Sequence, residues 1–326
     1  STTTAVAGSD GSWSVPNPGL NNGDTVTAVS TDPAGNSSTP ATAVVDAIAP
    51  NAPVIDPING TDPISGTAEP GSTVTVTYPD GSTTTAVAGS DGSWSVPNPG
   101  LNNGDTVTAV STDPAGNSST PATAVVDAIA PNAPVIDPIN GTDPISGTAE
   151  PGSTVTVTYP DGSTTTAVAG SDGSWSVPNP GLNNGDTVTA VATDPAGNSS
   201  TPATAVVDAI APNAPVIDPV NGTDPITGTA EPGSTVTVSY PDGSTTTAVA
   251  GSDGSWSVPN PGLNNGDTVT AVSTDPAGNS STPATAVVDA IAPNAPVIDP
   301  VNGTDPITGT AEPGSTVTVT YPDGST

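Results

Sequence analysis

The chain has 326 residues, of which 32 are Asp or Glu and none is Lys, Arg, His, Cys or Met, so its formal net charge is −32. Nucleic acids and bilayer surfaces are themselves anionic, which excludes binding to either by charge attraction. The lack of cysteine excludes the disulfides that stabilise many small secreted domains. No apolar run approaches the roughly 20 residues of a membrane-spanning helix.

One sequence unit recurs along the whole chain. Trp13, Trp94, Trp175 and Trp256 are each separated by 81 positions, and nearly every other residue follows the same step. This period exceeds the roughly 20–50 residues of a solenoid repeat and suits a small independent domain. We therefore predict complete repeats at 49–129, 130–210 and 211–291, flanked by the C-terminal part of a truncated repeat at 1–48 and the N-terminal part of another at 292–326.

The first predicted strand of the repeat at 49–129 follows a proline-rich linker. Pro50 and Pro53 restrict φ and hold the entering chain extended. Strand A is predicted at Val54-Ile55 and ends at Pro57 and the Asn59-Gly60 turn.

Six further strands follow at short intervals. Strand C has the clearest alternation of apolar and polar residues, with Thr73, Thr75 and Thr77 on the opposite face from Val74 and Val76. Turn signals recur every 8–12 residues, and no helical period is present. Strands B to G are predicted at 64–68, 73–78, 83–88, 93–96, 106–110 and 122–126.

This pattern predicts an all-β fold in which each repeat is a seven-stranded Greek-key sandwich of the immunoglobulin type. At about 40 Å per domain, the tandem array would be an elongated rod on the order of 150 Å long. One alternative is a disordered acidic stalk, because Val, Ile and Leu together fall below the roughly 20% that separates folded from disordered chains, and Phe is absent.

Three blocks in each repeat carry a family resemblance. They are GTAEPGSTVTV at 66–76, DGSWSV at 91–96 and DPAGN at 113–117. The chain resembles the bacterial Ig-like tandem repeats of large biofilm-associated and RTX-type surface adhesins, in particular those of biofilm-associated proteins. The resemblance implies export to the bacterial cell surface and calcium bound at domain junctions.

Carboxylates are the only ionised side chains, at eight per repeat. In a seven-stranded sandwich, loops B–C, D–E and F–G lie at the end where the chain enters, close to the linker. Ca²⁺ takes six to eight oxygen ligands, and clustered carboxylates repel one another unless a cation lies between them. The alternative is that these acids simply form turns and carry surface charge. The predicted junction ligands form three sets: Asp46, Glu69 and Asp113; Asp127, Glu150 and Asp194; and Asp208, Glu231 and Asp275.

Other motifs have a structural and a functional interpretation. The Thr73–Thr77 ladder could bind ice or glycan, but threonine is also favoured on the solvent face of a strand. Trp94 could stack on a sugar together with Tyr78, but it is also the largest candidate for the core. Asn59-Gly60-Thr61 and Asn117-Ser118-Ser119 match the N-glycosylation pattern, yet both are also typical turns.

The composition argues against an enzyme. Without His, Lys, Cys or Arg the chain has no ordinary base for a serine nucleophile and no cationic side chain for an oxyanion. A carboxylate pair for glycoside hydrolysis would have to recur in every small domain.

We therefore predict the spacer region of a giant extracellular adhesin involved in biofilm formation and cell adhesion. Its partners would be the neighbouring repeats of the same chain, with other cells or abiotic surfaces contacted through domains outside this segment. Nucleic acid and membrane insertion are not expected. The alternative is that the repeats are themselves adhesive, by binding either one another or a matrix.

Overall fold

The computed structural model describes residues 1–325, in which strands are the only regular secondary structure. Each complete repeat contains seven strands, and the repeat at 49–129 serves as the reference. Its strands are β3 (Val54–Ile55), β4 (Ile64–Thr67), β5 (Thr73–Thr77), β6 (Thr83–Val87), β7 (Ser93–Val96), β8 (Thr106–Thr112) and β9 (Ala122–Val125).

The other repeats follow the same plan. At 130–210 the strands are β10 (Val135–Ile136), β11 (Ile145–Thr148), β12 (Thr154–Thr158), β13 (Thr164–Val168), β14 (Ser174–Val177), β15 (Thr187–Thr193) and β16 (Ala203–Val206). At 211–291 they are β17 (Val216–Ile217), β18 (Ile226–Thr229), β19 (Thr235–Ser239), β20 (Thr245–Val249), β21 (Ser255–Val258), β22 (Thr268–Thr274) and β23 (Ala284–Val287). The truncated ends hold β1 (Thr25–Ala28) with β2 (Ala41–Val44), and β24 (Val297–Ile298) with β25 (Gly309–Thr310).

Two antiparallel sheets form each complete repeat. One has the order β3-β4-β7 and the other the order β6-β5-β8-β9. Strand β7 pairs with β4 rather than with its sequence neighbour β6, so the chain crosses between the sheets there. A single parallel bridge between Ile58 and Val126 ties the segment after β3 to the end of β9. The predicted tandem sandwich fold is confirmed, and the disordered alternative is wrong.

The core lies between the two sheets and follows from the alternation along the strands. In β5, Val74 and Val76 are fully buried while the intervening threonines face outward. Trp94 is 4% exposed and packs in the same cluster, which confirms its predicted role as a core residue. Trp13, in the truncated first repeat, is 57% exposed. The indole is therefore covered only where both sheets are complete.

Every charged side chain lies outside the strands. The eight carboxylates of each repeat all fall in turns, loops and linkers. The strand faces are therefore uncharged, and the charge is concentrated at the ends and edges of the sandwiches. In the described part of the chain, no helix is long and apolar enough to cross a membrane.

Candidate functional site at the junctions between repeats

The chain leaves each repeat in a fixed direction. The amide of Asp127 donates to the carbonyl oxygen of Ile58 at 2.8 Å, and the amide of Ala128 donates to Oδ1 of Asn103 at 3.0 Å. Oδ1 of Asp127 accepts from the amide of Ile129 at 3.1 Å. These bonds hold the start of the linker against two loops, the A–B loop between β3 and β4 and the E–F loop between β7 and β8.

The loop between β3 and β4 is organised around Asn59, which is only 6% exposed. Its Oδ1 accepts from the amides of Thr61 and Asp62 at 2.9 and 2.7 Å, and its Nδ2 donates to Oδ2 of Asp62 at 2.6 Å. Its carbonyl oxygen accepts from Nδ2 of Asn98 at 2.9 Å. A buried amide with this many partners gives the loop one defined shape.

The loop between β8 and β9, which is the F–G loop, is closed by Asp113 and Asn117. Oδ1 of Asp113 accepts from the amide of Asn117 at 2.9 Å, and Oδ2 accepts from Nδ2 of Asn117 at 2.8 Å. The hydrogen bond from the Asn117 side chain is the main cause that lowers the pKa of Asp113, against the opposing effect of desolvation. Both carboxylate oxygens are therefore already hydrogen bonded within the loop.

The closed loop of one repeat contacts the exit of the preceding repeat. Nδ2 of Asn198 donates to the carbonyl oxygen of Asp127 at 2.8 Å, and Nδ2 of Asn279 donates to that of Asp208 at 2.7 Å. The corresponding distance from Asn117 to Asp46 is 3.2 Å. The same bond therefore forms at three successive junctions.

A second contact joins the A–B loop of one repeat, which is the loop between β10 and β11 in the repeat at 130–210, to the F–G loop of the next repeat. Nδ2 of Asn140 donates to the carbonyl oxygen of Ala277 in the following repeat at 3.0 Å. At the preceding junction, a Cβ built on Gly197 would lie 3.2 Å from Nδ2 of Asn59 and 3.7 Å from Oδ2 of Asp62. The junction is thus a contact between two loops, supplied by the A–B loop of one repeat and the F–G loop of the next.

The structure places the members of the predicted calcium sets in different roles. The F–G loop aspartates are nearly buried and hydrogen bonded to asparagine, as described for Asp113. The linker aspartates contribute their carbonyl oxygens to the junction, while Oδ1 of each accepts from the amide of an isoleucine two residues on. These are Asp113, Asp194 and Asp275 in the loops and Asp46, Asp127 and Asp208 in the linkers.

The three glutamates of those sets, Glu69, Glu150 and Glu231, lie exposed at the start of the turn after strand B. Glu231 lines an open cleft of about 330 Å³ together with Asn213 and Thr229 of its own repeat. Within residues 1–325, no group of three or more acidic side chains is placed to hold a metal ion. The three sets thus do not form preformed three-carboxylate sites, and calcium binding at the junctions stays a prediction.

The asparagines that make the junction are absent from the predicted site residues. The sequence favours a turn role for Asn59 and Asn117, although both recur in every repeat with an aspartate three residues after or four residues before. In the structure the Nδ2 atoms of both donate hydrogen bonds, which agrees with the turn interpretation of the two glycosylation-like motifs.

Comparison with known proteins identifies the repeat. Residues 49–128, 130–209 and 211–290 each match the family described as bacterial Ig domain. A search of curated proteins found no match.

Two solved structures are similar to the chain. One is described as "Biofilm associated protein - BSP domain", at 14% identity over 74% of this chain and 66% of that one, with a TM-score of 0.26. The other comprises the fibronectin(III)-like modules of CbhA from Clostridium thermocellum, at 17% identity over 48% of this chain and 93% of that one, with a TM-score of 0.28. The chain thus spans 66% of the length of the first structure. On the three family matches, this chain belongs to the bacterial Ig domain family.

Proposed function

We propose that this chain is part of the stalk of a bacterial surface adhesin, outside the cell, and that its repeats act as a spacer. The observation that carries the proposal is the recurrence of one contact, from the F–G asparagine to the preceding linker carbonyl, at three junctions. A contact repeated at each step gives consecutive domains the same relationship, which is what a rod requires.

The charge distribution supports the same role. Carboxylates are confined to the loops and linkers, and the chain has no cationic side chain with which to pair them. Like charges along the array oppose its folding back on itself and favour an extended form. The partners in this role are neighbouring repeats, and contact with cells or abiotic surfaces is assigned to other parts of the adhesin. We propose no catalytic role.

Small-angle X-ray scattering of the whole chain tests the spacer. The expected maximum dimension is on the order of 150 Å, from about 40 Å per sandwich. A compact particle in which the repeats pack side by side would contradict the proposal.

The adhesive alternative has one structural observation in its favour. The outward face of sheet β6-β5-β8-β9 is uncharged and rich in threonine, with Thr75, Thr77 and Thr108 alongside exposed Val87 and Val125. Such a face can approach a second copy without bringing carboxylates together at its centre. Sedimentation velocity over a wide concentration range separates the two ideas, because a pure spacer stays monomeric and an adhesive repeat self-associates.

Calcium at the junctions is a separate proposal with its own test. A site with a dissociation constant of about 10⁻⁴–10⁻³ M would stabilise its junction by about 1.4 kcal/mol at tenfold saturation. Melting should therefore respond to calcium more than to magnesium at equal ionic strength. Equal responses would leave only general screening of the carboxylates, and the spacer proposal would be unaffected.

A further inference from the structure

The first observation is a difference in burial among three copies of one asparagine. Asn59 and Asn140 are 6% and 5% exposed, whereas Asn221 is exposed. All three make the same bonds within their own loop. In each copy Nδ2 donates to Oδ2 of the aspartate that follows three residues later, at 2.6 Å. What differs is the F–G loop of the following repeat, which occurs in this chain after Asn59 and Asn140 but not after Asn221. The F–G loop of the following repeat therefore covers this asparagine.

The second observation is a glycine whose Cβ position is closely packed only at a complete junction. Gly197 and Gly116 occupy the same position in consecutive F–G loops, with φ of 93° and 94°. A Cβ on Gly197 would lie 3.2 Å from Nδ2 of Asn59, whereas a Cβ on Gly116 would have nothing within 4 Å. Residues 1–48, which precede the repeat of Gly116, include no A–B loop. Close packing at Gly197 is therefore a property of the junction.

The third observation is the geometry of the connecting amide. One hydrogen on Nδ2 of Asn198 goes to Oδ2 of Asp194 in its own loop, and the other goes to the carbonyl oxygen of Asp127 in the preceding repeat, both at 2.8 Å. The first bond has an ionised acceptor and fixes the direction of the second. Asp194 is thus a positioning residue for the contact that Asn198 makes.

From these observations we infer that the Asn-Gly-Thr-Asp loop of each repeat is a docking site for the Asp-Pro-Ala-Gly-Asn loop of the next, and that this loop pair orients consecutive repeats through amide hydrogen bonds. The inference rests on the proposed spacer role and identifies the residues that make it stiff. It also gives a rule for longer arrays. A repeat that lacks the asparagine of the first loop, or the glycine or asparagine of the second, forms a hinge at that junction.

Distances between spin labels on neighbouring repeats test the docking. The chain has no cysteine, so Thr85→Cys and Thr166→Cys, both on exposed strand positions, place one label on each side of a junction. In the otherwise unchanged chain we expect a narrow distance distribution that persists in chelator. Gly197→Ala should at least double its width. Gly116→Ala is the matched control, with the same φ and no A–B loop opposite, and should leave the width unchanged.

A second pair of variants changes the A–B loop, which is the other partner in the contact. Asn59→Ala should broaden the distribution, whereas Asn221→Ala removes the same intraloop bonds from a copy that has no docked loop and should not. Equal melting temperatures within each pair would show that the broadening does not arise from unfolding.

Equal widths for Gly197→Ala and Gly116→Ala, together with equal widths for Asn59→Ala and Asn221→Ala, would overturn the docking inference. Broadening of the unsubstituted chain by chelator would also overturn it, since a metal would then be orienting the repeats. In both cases a scattering dimension near the expected length would leave the spacer role standing, so the two failures are distinguishable.

Discussion

Gly66 and Trp94 are cross-strand partners in β4 and β7, and the indole ring occupies the space that a side chain at residue 66 would need. A Cβ there would lie 2.8 Å from Cζ2 of Trp94 and would also collide with the carbonyl oxygen of Val54. The same relationship joins Gly147 to Trp175 and Gly228 to Trp256. The largest side chain of each repeat is thus packed against a residue without one.

Gly66→Ala should therefore destabilise its repeat although it adds only one methyl group. Overpacking of this kind costs about 1–3 kcal/mol, and collision with a backbone oxygen places the substitution at the upper end. Calorimetry of the whole chain should show one repeat melting earlier than the others. Gly303→Ala, where nothing lies within 4 Å of the added Cβ, is the control and should leave the profile unchanged. Identical profiles for the two variants would refute the packing argument.

Trp94→Phe should lower the free energy of unfolding by less than the lost side-chain volume suggests. Nε1 of Trp94 is buried without a hydrogen-bond partner, and a buried unpaired donor costs about 1–3 kcal/mol. Phenylalanine removes that donor while retaining an aromatic ring, so we expect a loss below about 2 kcal/mol, against about 3–5 kcal/mol for Trp94→Ala. Denaturant unfolding of both variants measures the difference. A loss clearly above about 2 kcal/mol for Trp94→Phe would contradict the expected relief from removing the unpaired N–H.

The three repeats offer a natural comparison at a buried hydroxyl pair. Oγ of Ser111 is 2.7 Å from Oγ of Ser72, but the next repeat has Ala192 at the equivalent position. The bond from Ser72 to the carbonyl oxygen of Glu69 is 2.7 Å, and in the repeat with Ala192 the equivalent bond from Ser153 to Glu150 is also 2.7 Å. Ser111→Ala should therefore cost no more than about 1 kcal/mol, and Ala192→Ser should yield a gain of similar size. Denaturant unfolding measures both changes. A clearly larger loss for Ser111→Ala, of the size expected when a buried polar group is left unpaired, would contradict this.

Acid should destabilise the repeats through the aspartates that close their turns. The Ser93 side chain, and then its backbone amide, lower the pKa of Asp91 from its usual value of 3.8. A lowered pKa in the folded state gives a contribution that is present above 3.8 and is lost as the pH falls through the folded value. Ser93→Ala should reduce the dependence of the melting temperature on pH below about 4. Both chains share the general relief of carboxylate repulsion in acid, so the difference between them isolates the contribution of Asp91. Parallel curves of melting temperature against pH would exclude the mechanism.

Monovalent salt should raise the melting temperature. The sequence has no Lys, Arg or His, so screening removes repulsion between carboxylates and has no side-chain ion pairs to weaken. The Debye length falls from about 30 Å at 0.01 M to about 8 Å at 0.15 M, and most of the rise is expected over that range. Sodium and potassium chloride should act alike. A fall in melting temperature over the same range would show that repulsion does not limit stability.

Much of the fold could be predicted because the repeat unit has strong local signals. The alternation through Thr73 to Thr77 and the turns at Asp80-Gly81 and Asp91-Gly92 placed the strands within about two residues of their positions in the structure. Strand β8 is longer than predicted and runs to Thr112. Its last residues pair with β5, and such non-local pairing is weakly encoded in the local pattern.

The candidate site was predicted less well than the fold. Loop topology brought Asp113 and Asp46 to the same junction, but the contact between them is made by the amide of Asn117. Aspartate and glutamate can be recognised as candidate metal ligands from the sequence alone, because their charge does not depend on the fold. An asparagine in a turn is ambiguous, since its amide can serve its own loop or reach a neighbouring domain.

The sequence by itself determined the period, the seven strands and the confinement of charge to the loops, because these depend on residue type and on spacing along one chain. Only the tertiary structure decided that Gly66 lies beneath Trp94 and that Asn198 reaches Asp127. Both relationships join residues from different strands or different repeats, and whether such groups meet depends on how the sheets and domains pack.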